Sequence, residues 1–198
     1  KKLKRIIFFL PSKGKNLMVK NLLKMQFTKV PQLLFVLKVV KLETVAFGHG
    51  ITTTPLQATA LYAAMVNGGK LVTPSLIKER KTENPISIIS LDTSVKLRNI
   101  LRKVVSSKEG TASLADKDGY YVGGKTGTAE SYGDTKNRIN TFISVFPTNK
   151  PNYTLFVMLE NPKINKDLIY DYRGIKTKAP YNTSGWNSVY VAGKIIEK

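Results

Sequence analysis

The chain has 198 residues, of which 42% are hydrophobic, and it carries 32 lysine and arginine residues against 13 aspartate and glutamate residues. This length corresponds to one ordinary domain or to a piece of a larger one, and the hydrophobic content suffices for a packed core. Because the chain has no cysteine and one histidine (His49), disulfides, thiolate catalysis and cysteine- or histidine-based metal sites are excluded. We therefore expect no metal site.

The positive charge is concentrated at the start of the chain. Residues 1–42 contain 11 basic residues and no acidic one, and they show few turn or capping signals. We expect residues 1–43 to be a basic segment that is either out-of-frame sequence or disordered, with a nucleic-acid-binding arm as the alternative. Pro11 and Lys13 interrupt the only stretch that resembles a signal peptide, and no apolar run reaches the ~18–20 residues of a membrane span. The sequence thus predicts neither an export signal nor a transmembrane segment.

Two helices are predicted in the first part of residues 44–198. Thr54, Pro55 and Gln57 combine a cap, a proline at the first helical position and a capping-box glutamine, and the helix should end at residues 67–69, Asn-Gly-Gly. Asp92 or Thr93 should cap the second helix. Its predicted apolar face consists of Leu97, Ile100, Leu101, Val104 and Val105.

Strands dominate the second part. Three candidates are Tyr120–Thr128, Asn140–Phe146 and Tyr153–Glu160, and the loop between the last two is short enough for an antiparallel hairpin. A final helix should begin near Thr183 or Ser184. This order predicts an α+β fold with an antiparallel sheet and helices packed on it.

One motif has two interpretations. Residues 119–126 fit the phosphate-binding pattern G-x-x-x-x-G-K-[ST], which must follow a strand and begin a helix. A turn precedes the motif, and Gly127 and Gly133 follow it, so the context fits nucleotide binding poorly. A nucleotide- or nucleic-acid-binding protein nevertheless remains an alternative.

The other interpretation places residues 125–128, Lys-Thr-Gly-Thr, on an edge strand. The ammonium of Lys125 and the hydroxyls of Thr126 and Thr128 can bind a carboxylate there. Gly127 lets a substrate backbone lie against the strand, and a free N–H at the edge can stabilise an oxyanion. These four residues are the candidate substrate-binding residues.

The stretches around this motif carry a family resemblance. Residues 47–51 (F-G-H-G-I) and 54–57 (T-P-L-Q) precede the Lys-Thr-Gly-Thr motif, and their separation from it is part of the resemblance. Further short stretches that carry the resemblance occur in the same order, at residues 67–69, 73–74, 110–112, 142–147 and 183–187. Together, residues 44–198 resemble the C-terminal half of the transpeptidase domain of class B penicillin-binding proteins.

The resemblance implies a partial penicillin-binding, serine β-lactamase-like fold. It also implies a peptidoglycan D,D-transpeptidase, in which a lysine-activated serine transfers acyl groups between stem peptides without metal or cofactor. The expected ligand is a peptidoglycan stem peptide or a β-lactam, with the Thr128 N–H as an oxyanion donor. Members of the family are anchored in the membrane and face the periplasm or the cell exterior.

The catalytic serine of the family is missing from its expected place. No S-x-N occurs in the chain, and S-x-x-K occurs only at Ser12 and Ser75, both in unsuitable contexts beside a proline. We therefore predict no catalytic nucleophile, so that the chain binds ligands but does not acylate. The alternative is half of a split transpeptidase, complemented by another chain that supplies the missing N-terminal half; no nucleic acid is expected as a partner in either case.

Overall fold

The structure is a computed structural model that describes residues 5–11, 53–76, 85–131 and 137–198. His49, Ser12 and the resemblance at residues 47–51 lie outside the described residues. Within them, three α-helices, two 3₁₀ turns and eight strands follow one another along the chain. The helices are α1 (Pro55–Val66), α2 (Leu91–Ser106) and α3 (Ser188–Ile196), and the 3₁₀ turns are Ser113–Ala115 and Ser184–Trp186. The strands are β1 (Arg5–Pro11), β2 (Lys70–Leu71), β3 (Ile86–Ser87), β4 (Gly123–Ser131), β5 (Asn137–Phe146), β6 (Tyr153–Glu160), β7 (Ile169–Tyr172) and β8 (Ile175–Lys178).

The main sheet has four antiparallel strands in the order β1-β6-β5-β4. Strand β4 is therefore at one edge, and within the described residues β5 is its only strand neighbour. Two small two-stranded antiparallel sheets, β2-β3 and β7-β8, lie outside this sheet. The sheet thus presents the Lys-Thr-Gly-Thr motif on an edge strand.

Helix α1 begins at the predicted cap. The Thr54 hydroxyl accepts a hydrogen bond from the backbone N–H of Gln57 (3.2 Å), and the Gln57 side chain accepts one from the Thr54 N–H (2.9 Å). This reciprocal pair satisfies two backbone donors that a helix start leaves unpaired. The helix ends at Asn67, before Gly68 and Gly69, which both have positive φ. The predicted start and end of α1 are confirmed.

Helix α2 begins earlier than predicted. Ser90 is its cap, because the Ser90 side chain accepts a hydrogen bond from the Thr93 N–H at 3.1 Å. Asp92 lies in the first turn, where its carboxylate pairs with Lys96 at 2.7 Å. Capping by Asp92 or Thr93 is therefore wrong. Ile100 is 57% exposed, so it does not belong to the buried face.

Strand β4 begins later than predicted. Tyr121 has a φ of 48°, in the left-handed region, so the chain turns where the sequence suggested a strand. Thr148 holds this turn, since its N–H and its hydroxyl both donate to the Tyr121 carbonyl at 3.0 Å. Strand β5 begins three residues before its predicted start, whereas β6 has the predicted bounds.

Both faces of the main sheet carry packed helices. Phe142, Leu155 and Val157 form the larger buried cluster with Val189 and Ala192 of α3. On the other face, Val145 packs in a smaller cluster with Val66 of α1 and Leu101 of α2. Phe142 and Val145 face opposite ways because side chains alternate along a strand. The predicted α+β fold, an antiparallel sheet with packed helices, is confirmed.

Candidate functional site

Strand β4 sets out the four candidate residues in a fixed register against β5. Thr126 lies opposite Phe142, Gly127 opposite Thr141 and Thr128 opposite Asn140. Because side chains alternate, Thr126 and Thr128 share one face of the strand, while Lys125 and Gly127 share the other. The motif therefore presents its two hydroxyls together.

A cleft of about 270 Å³ lies beside these hydroxyls. Strand β4, the loop before the first 3₁₀ turn, strand β7 and the second 3₁₀ turn form its walls. It is lined by Thr111, Thr126, Thr128, Tyr172, Thr183, Ser184, Gly185 and Trp186. The structure thus brings two of the four predicted residues into one cleft with six others.

Thr111 and Thr126 form one hydroxyl pair of the cleft, with their oxygens 3.1 Å apart. The second 3₁₀ turn packs closely against Thr111 of this pair. A Cβ on Gly185 would lie 2.7 Å from the Thr111 carbonyl oxygen, which is closer than real Cβ contacts allow. The turn can take this position only because residue 185 is a glycine.

Thr128 and Ser184 form the second hydroxyl pair, at 2.9 Å. The Ser184 hydroxyl also donates a hydrogen bond to the Gly127 carbonyl, so the turn is tied directly to the motif strand. Ser184 is buried, and its own carbonyl accepts a hydrogen bond from the Ser188 hydroxyl at 3.1 Å. These contacts connect β4 to the start of α3.

Lys125 does not line the cleft. Its ammonium is exposed and donates to the Thr126 carbonyl at 2.7 Å, along the same strand. In the part of the chain that the structure describes, no carboxylate pairs with it. The charge therefore lies at the motif edge and is available to an anion, while Gly127 contributes backbone only.

Aromatic rings form another part of the cleft lining, which we call the aromatic wall. Trp186 stacks on Tyr172 with their centroids 5.1 Å apart, and Tyr170 meets Trp186 edge-on at 5.4 Å. Tyr170 is buried under this wall, and burial raises the pKa of its hydroxyl, with a further contribution from Tyr190. Trp186 thus both packs against neighbouring rings and lines the cleft.

The polar groups of the site are hydroxyls, backbone groups and the ammonium of Lys125 at the strand edge. Across the described residues, no group of three or more histidine, cysteine, aspartate or glutamate side chains could hold a metal ion. Hydroxyl protons in the cleft and an ammonium at the edge of the same strand suit an anionic oxygen, above all a carboxylate. The arrangement can therefore bind a carboxylate, but the cleft lining contains no serine–lysine pair that could act as an activated nucleophile.

The structure does not place residues 119–126 in the context that a phosphate-binding loop requires, and the nucleotide-binding alternative stays a prediction. Lys125 and Thr126 lie within strand β4, and the turn at residues 117–120 precedes them. A phosphate-binding loop instead places its lysine at the start of a helix, where backbone N–H groups converge on the anion.

Six cleft residues were not among the candidates: Thr111, Tyr172, Thr183, Ser184, Gly185 and Trp186. Thr111 and residues 183–186 belong to stretches that carried the family resemblance, but no local signal in those stretches places them beside the motif strand. Tyr172 precedes a tight turn in which Asp171 accepts a hydrogen bond from the Gly174 N–H at 2.9 Å. That Asp–Gly spacing was the only local signal for the β7-β8 hairpin.

Comparison with known proteins gives the family. The sequence model described as the penicillin binding protein transpeptidase domain matches residues 30–183, which is more than half of the chain. The chain therefore belongs to the penicillin-binding protein transpeptidase domain family. The match begins at residue 30, and the division between residues 43 and 44 stays a prediction.

Curated relatives are similar over most of the chain. Stage V sporulation protein D of Bacillus subtilis is 42% identical over 136 residues, covering 61% of this chain and 21% of that protein. The probable peptidoglycan D,D-transpeptidase FtsI of Caulobacter vibrioides is 31% identical over 166 residues, covering 77% and 26%. The chain thus spans about a fifth to a quarter of the length of these relatives.

Solved structures share the fold. Penicillin-binding protein 3 of Mycobacterium tuberculosis in complex with aztreonam has a TM-score of 0.60 and 26% identity, covering 77% of this chain and 37% of that one. The transpeptidase domain of penicillin-binding protein 3 from Burkholderia pseudomallei, with a TM-score of 0.58 and 22% identity, covers 78% and 44% and supports the fold alone. Among the described helices, none combines the length and the apolar character needed to cross a membrane.

Proposed function

We propose that this chain is the C-terminal part of a peptidoglycan D,D-transpeptidase domain that binds the carboxylate of a stem peptide or β-lactam and does not acylate. Lys125, Thr126 and Thr128 hold the carboxylate, Gly127 keeps the strand open to the ligand, and the Thr128 N–H serves as the oxyanion donor. The observation that carries the proposal is the pair of hydroxyls, Thr126 and Thr128, which face one cleft from an edge strand.

Two further observations support the ligand class. The related penicillin-binding protein 3 of Mycobacterium tuberculosis was solved with aztreonam and with ampicillin. Lys125 has no carboxylate partner in the described part of this chain, so an incoming carboxylate does not have to displace one. Hydrogen bonds to charged groups are also the stronger ones, which favours an anionic ligand at a lysine.

The absence of acylation rests on the sequence. The chain contains no S-x-N, and Ser75, which begins one of the two S-x-x-K matches, lies in the irregular stretch after β2 and outside the cleft. A nucleophilic serine needs a neighbouring base that takes its proton. Incubation with ampicillin should therefore leave the mass of the intact chain unchanged; a covalent mass increase would overturn this part of the proposal.

Non-covalent binding is the direct test. Titration of the ¹⁵N-labelled full chain with ampicillin should shift the amide signals of residues 125–128. Lys125→Gln should weaken binding about tenfold or more, because it removes a charge-assisted contact. The matched control, Lys150→Gln, removes the same charge from the exposed turn between β5 and β6.

Ampicillin with its carboxylate esterified provides the ligand control. The ester should bind much more weakly to the wild-type chain and about equally to wild type and Lys125→Gln. Equal weakening by the two lysine variants, or tight binding of the ester, would show that the carboxylate is not held at this edge.

A split transpeptidase is the second candidate function. It is favoured by the combination of a complete substrate-binding strand with a missing nucleophile in the same sequence. Co-purification of this chain with a second chain that bears S-x-x-K and S-x-N, together with labelling of that second chain by a fluorescent penicillin, would establish it. Recovery of the tagged chain alone from its source cells would count against it.

A further inference from the structure

The direction of one hydrogen bond in the cleft is fixed by elementary chemistry. The Ser184 hydroxyl has a single proton, and the Gly127 carbonyl can only accept, so Ser184 donates to Gly127. The contact between the Ser184 and Thr128 hydroxyls, at 2.9 Å, must then be donated by Thr128. The proton of Thr128 consequently points at Ser184, and the Thr128 oxygen offers lone pairs to the cleft.

The second hydroxyl pair behaves differently. Thr111 and Thr126 are 3.1 Å apart and either can be the donor, so one proton joins them and the other stays available. Within the described residues, neither hydroxyl makes another hydrogen bond that would take this proton. The free cleft therefore offers a donor at Thr111 or Thr126 and an acceptor at Thr128.

Ser184 cannot easily turn away from this arrangement. The residue is 1% exposed, and its carbonyl accepts a hydrogen bond from the Ser188 hydroxyl at 3.1 Å. Ser188 lies in the first turn of α3, and its N–H donates to the Asn187 side chain at 2.6 Å. The start of a packed helix thus holds Ser184 against Thr128.

We propose that Ser184 is a positioning residue that holds the Thr128 hydroxyl as an acceptor toward the cleft and thereby lowers the affinity of this edge for a carboxylate. The proposal rests on the proposed function. A carboxylate can accept the Thr128 proton only after the hydrogen bond from Thr128 to Ser184 breaks. The free energy needed to break that bond reduces the binding free energy of the carboxylate. A ligand amide N–H, by contrast, meets the Thr128 lone pair directly.

Removing the Ser184 hydroxyl should therefore strengthen carboxylate binding. The Gly127 carbonyl keeps a donor in this variant, since the Thr141 hydroxyl lies 3.3 Å from it. Ser184→Ala should bind ampicillin about two- to tenfold more tightly than the wild-type chain, which corresponds to the usual net value of one neutral hydrogen bond.

The control is a buried serine of strand β5, which pairs with the strand that carries Thr128. Ser144 is fully buried and donates to the Leu155 carbonyl at 3.3 Å, without contact to Thr128. Ser144→Ala should leave ampicillin affinity unchanged.

The second control is a double variant. In a Thr128→Val background, Ser184→Ala should not raise ampicillin affinity, because valine has no hydroxyl proton that the substitution could release. Weaker binding by Ser184→Ala, an equal gain in Ser144→Ala, or a gain that persists with Val at position 128 would overturn the inference.

A readout without ligand separates this inference from the proposed function. Three-bond couplings to the Thr128 methyl group report its χ1 rotamer in the free chain. We expect one rotamer in wild type and in Ser144→Ala, and an average over rotamers in Ser184→Ala. If ampicillin binds to no variant, the proposed function fails, and the rotamer comparison still decides: an unchanged Thr128 rotamer in Ser184→Ala would refute the role of Ser184.

Discussion

At Gly127, strands β4 and β5 come so close that a side chain would collide with the neighbouring strand. A Cβ built there would lie 2.5 Å from the Thr141 hydroxyl oxygen, which itself points at the Gly127 carbonyl. The sequence suggested that this glycine makes room for a substrate. The structure adds a second reason for a glycine here: the Thr141 hydroxyl occupies the space of a side chain, whether or not a ligand is bound.

Replacement of Gly127 by alanine should therefore destabilise the fold itself. We expect Gly127→Ala to lower the free energy of unfolding by about 1–3 kcal/mol, the usual range for inserting a methyl group into a filled space. Urea denaturation of the two chains, followed by circular dichroism, measures this difference.

Thr141 supplies the matched control. With alanine at position 141, the nearest remaining atom in that direction is the residue 141 Cβ, at 3.9 Å from the added methyl group. The cost of Gly127→Ala should thus shrink when it is measured in a Thr141→Ala background. An equal cost in both backgrounds would assign the effect to something other than this contact.

Helix α3 supports the 3₁₀ turn that lines the cleft. Val189, Ala192 and Ile196 bury its inner face against the sheet, and the 3₁₀ turn with Ser184 and Trp186 precedes it directly. At its far end, the Glu197 carboxylate contacts Lys194 of the same helix at 3.1 Å and Lys117 at 3.3 Å. Lys117 follows the first 3₁₀ turn, so Glu197 ties the helix to a second part of the chain.

This contact predicts a dependence of stability on pH. Hydrogen bonds from Lys194 and then Lys117 hold the pKa of Glu197 below its usual range. A carboxyl group with a lowered pKa in the folded state stabilises that state at pH values above its unfolded pKa. The contribution is lost as the pH falls from the usual carboxyl pKa through the lower folded value. Solvent exposure keeps the effect small.

Glu197→Gln isolates the effect. The variant should be slightly less stable than the wild-type chain near neutral pH, and the two should converge in acid, as judged by urea midpoints at several pH values. A difference that stays constant across that range would mean that the loss comes from packing and not from the charge.

Local signals explain which elements the sequence predicted well. The cap of α1 depends on Thr54 and Gln57, whose partners are three residues away, so the sequence contains the whole interaction. The cap of α2 was misplaced because several capping residues stand together, and only backbone geometry selects Ser90. The strand at Tyr120 was predicted too early because β propensity does not reveal a left-handed residue such as Tyr121.

For the whole molecule, the antiparallel sheet and its packed helices were predictable, and the cleft was only half predictable. Thr126 and Thr128 belong to one motif, so the sequence pointed to them. Ser184 reaches Thr128 across 56 positions of the chain, and no periodicity in the sequence encodes such a contact. The β7-β8 hairpin, which supplies Tyr172 to the cleft, is short and mostly exposed, so its apolar pattern is weak.

The position of Trp186 has a spectroscopic consequence. It is the only tryptophan of the 198 residues, and it lines the cleft while stacking on Tyr172. The intrinsic fluorescence of the entire chain, excited at the red edge of the indole band, therefore comes from one wall of the candidate site.

Ampicillin binding should change the intensity or wavelength of this emission, with the same half-saturation concentration as the amide shifts of residues 125–128. Trp186→Phe should abolish the signal and leave the amide titration measurable. If the amide signals shift while the emission stays constant, the ligand occupies the threonine edge without reaching the aromatic wall. The chain thus carries its own optical probe of ligand binding at the aromatic wall of the candidate site.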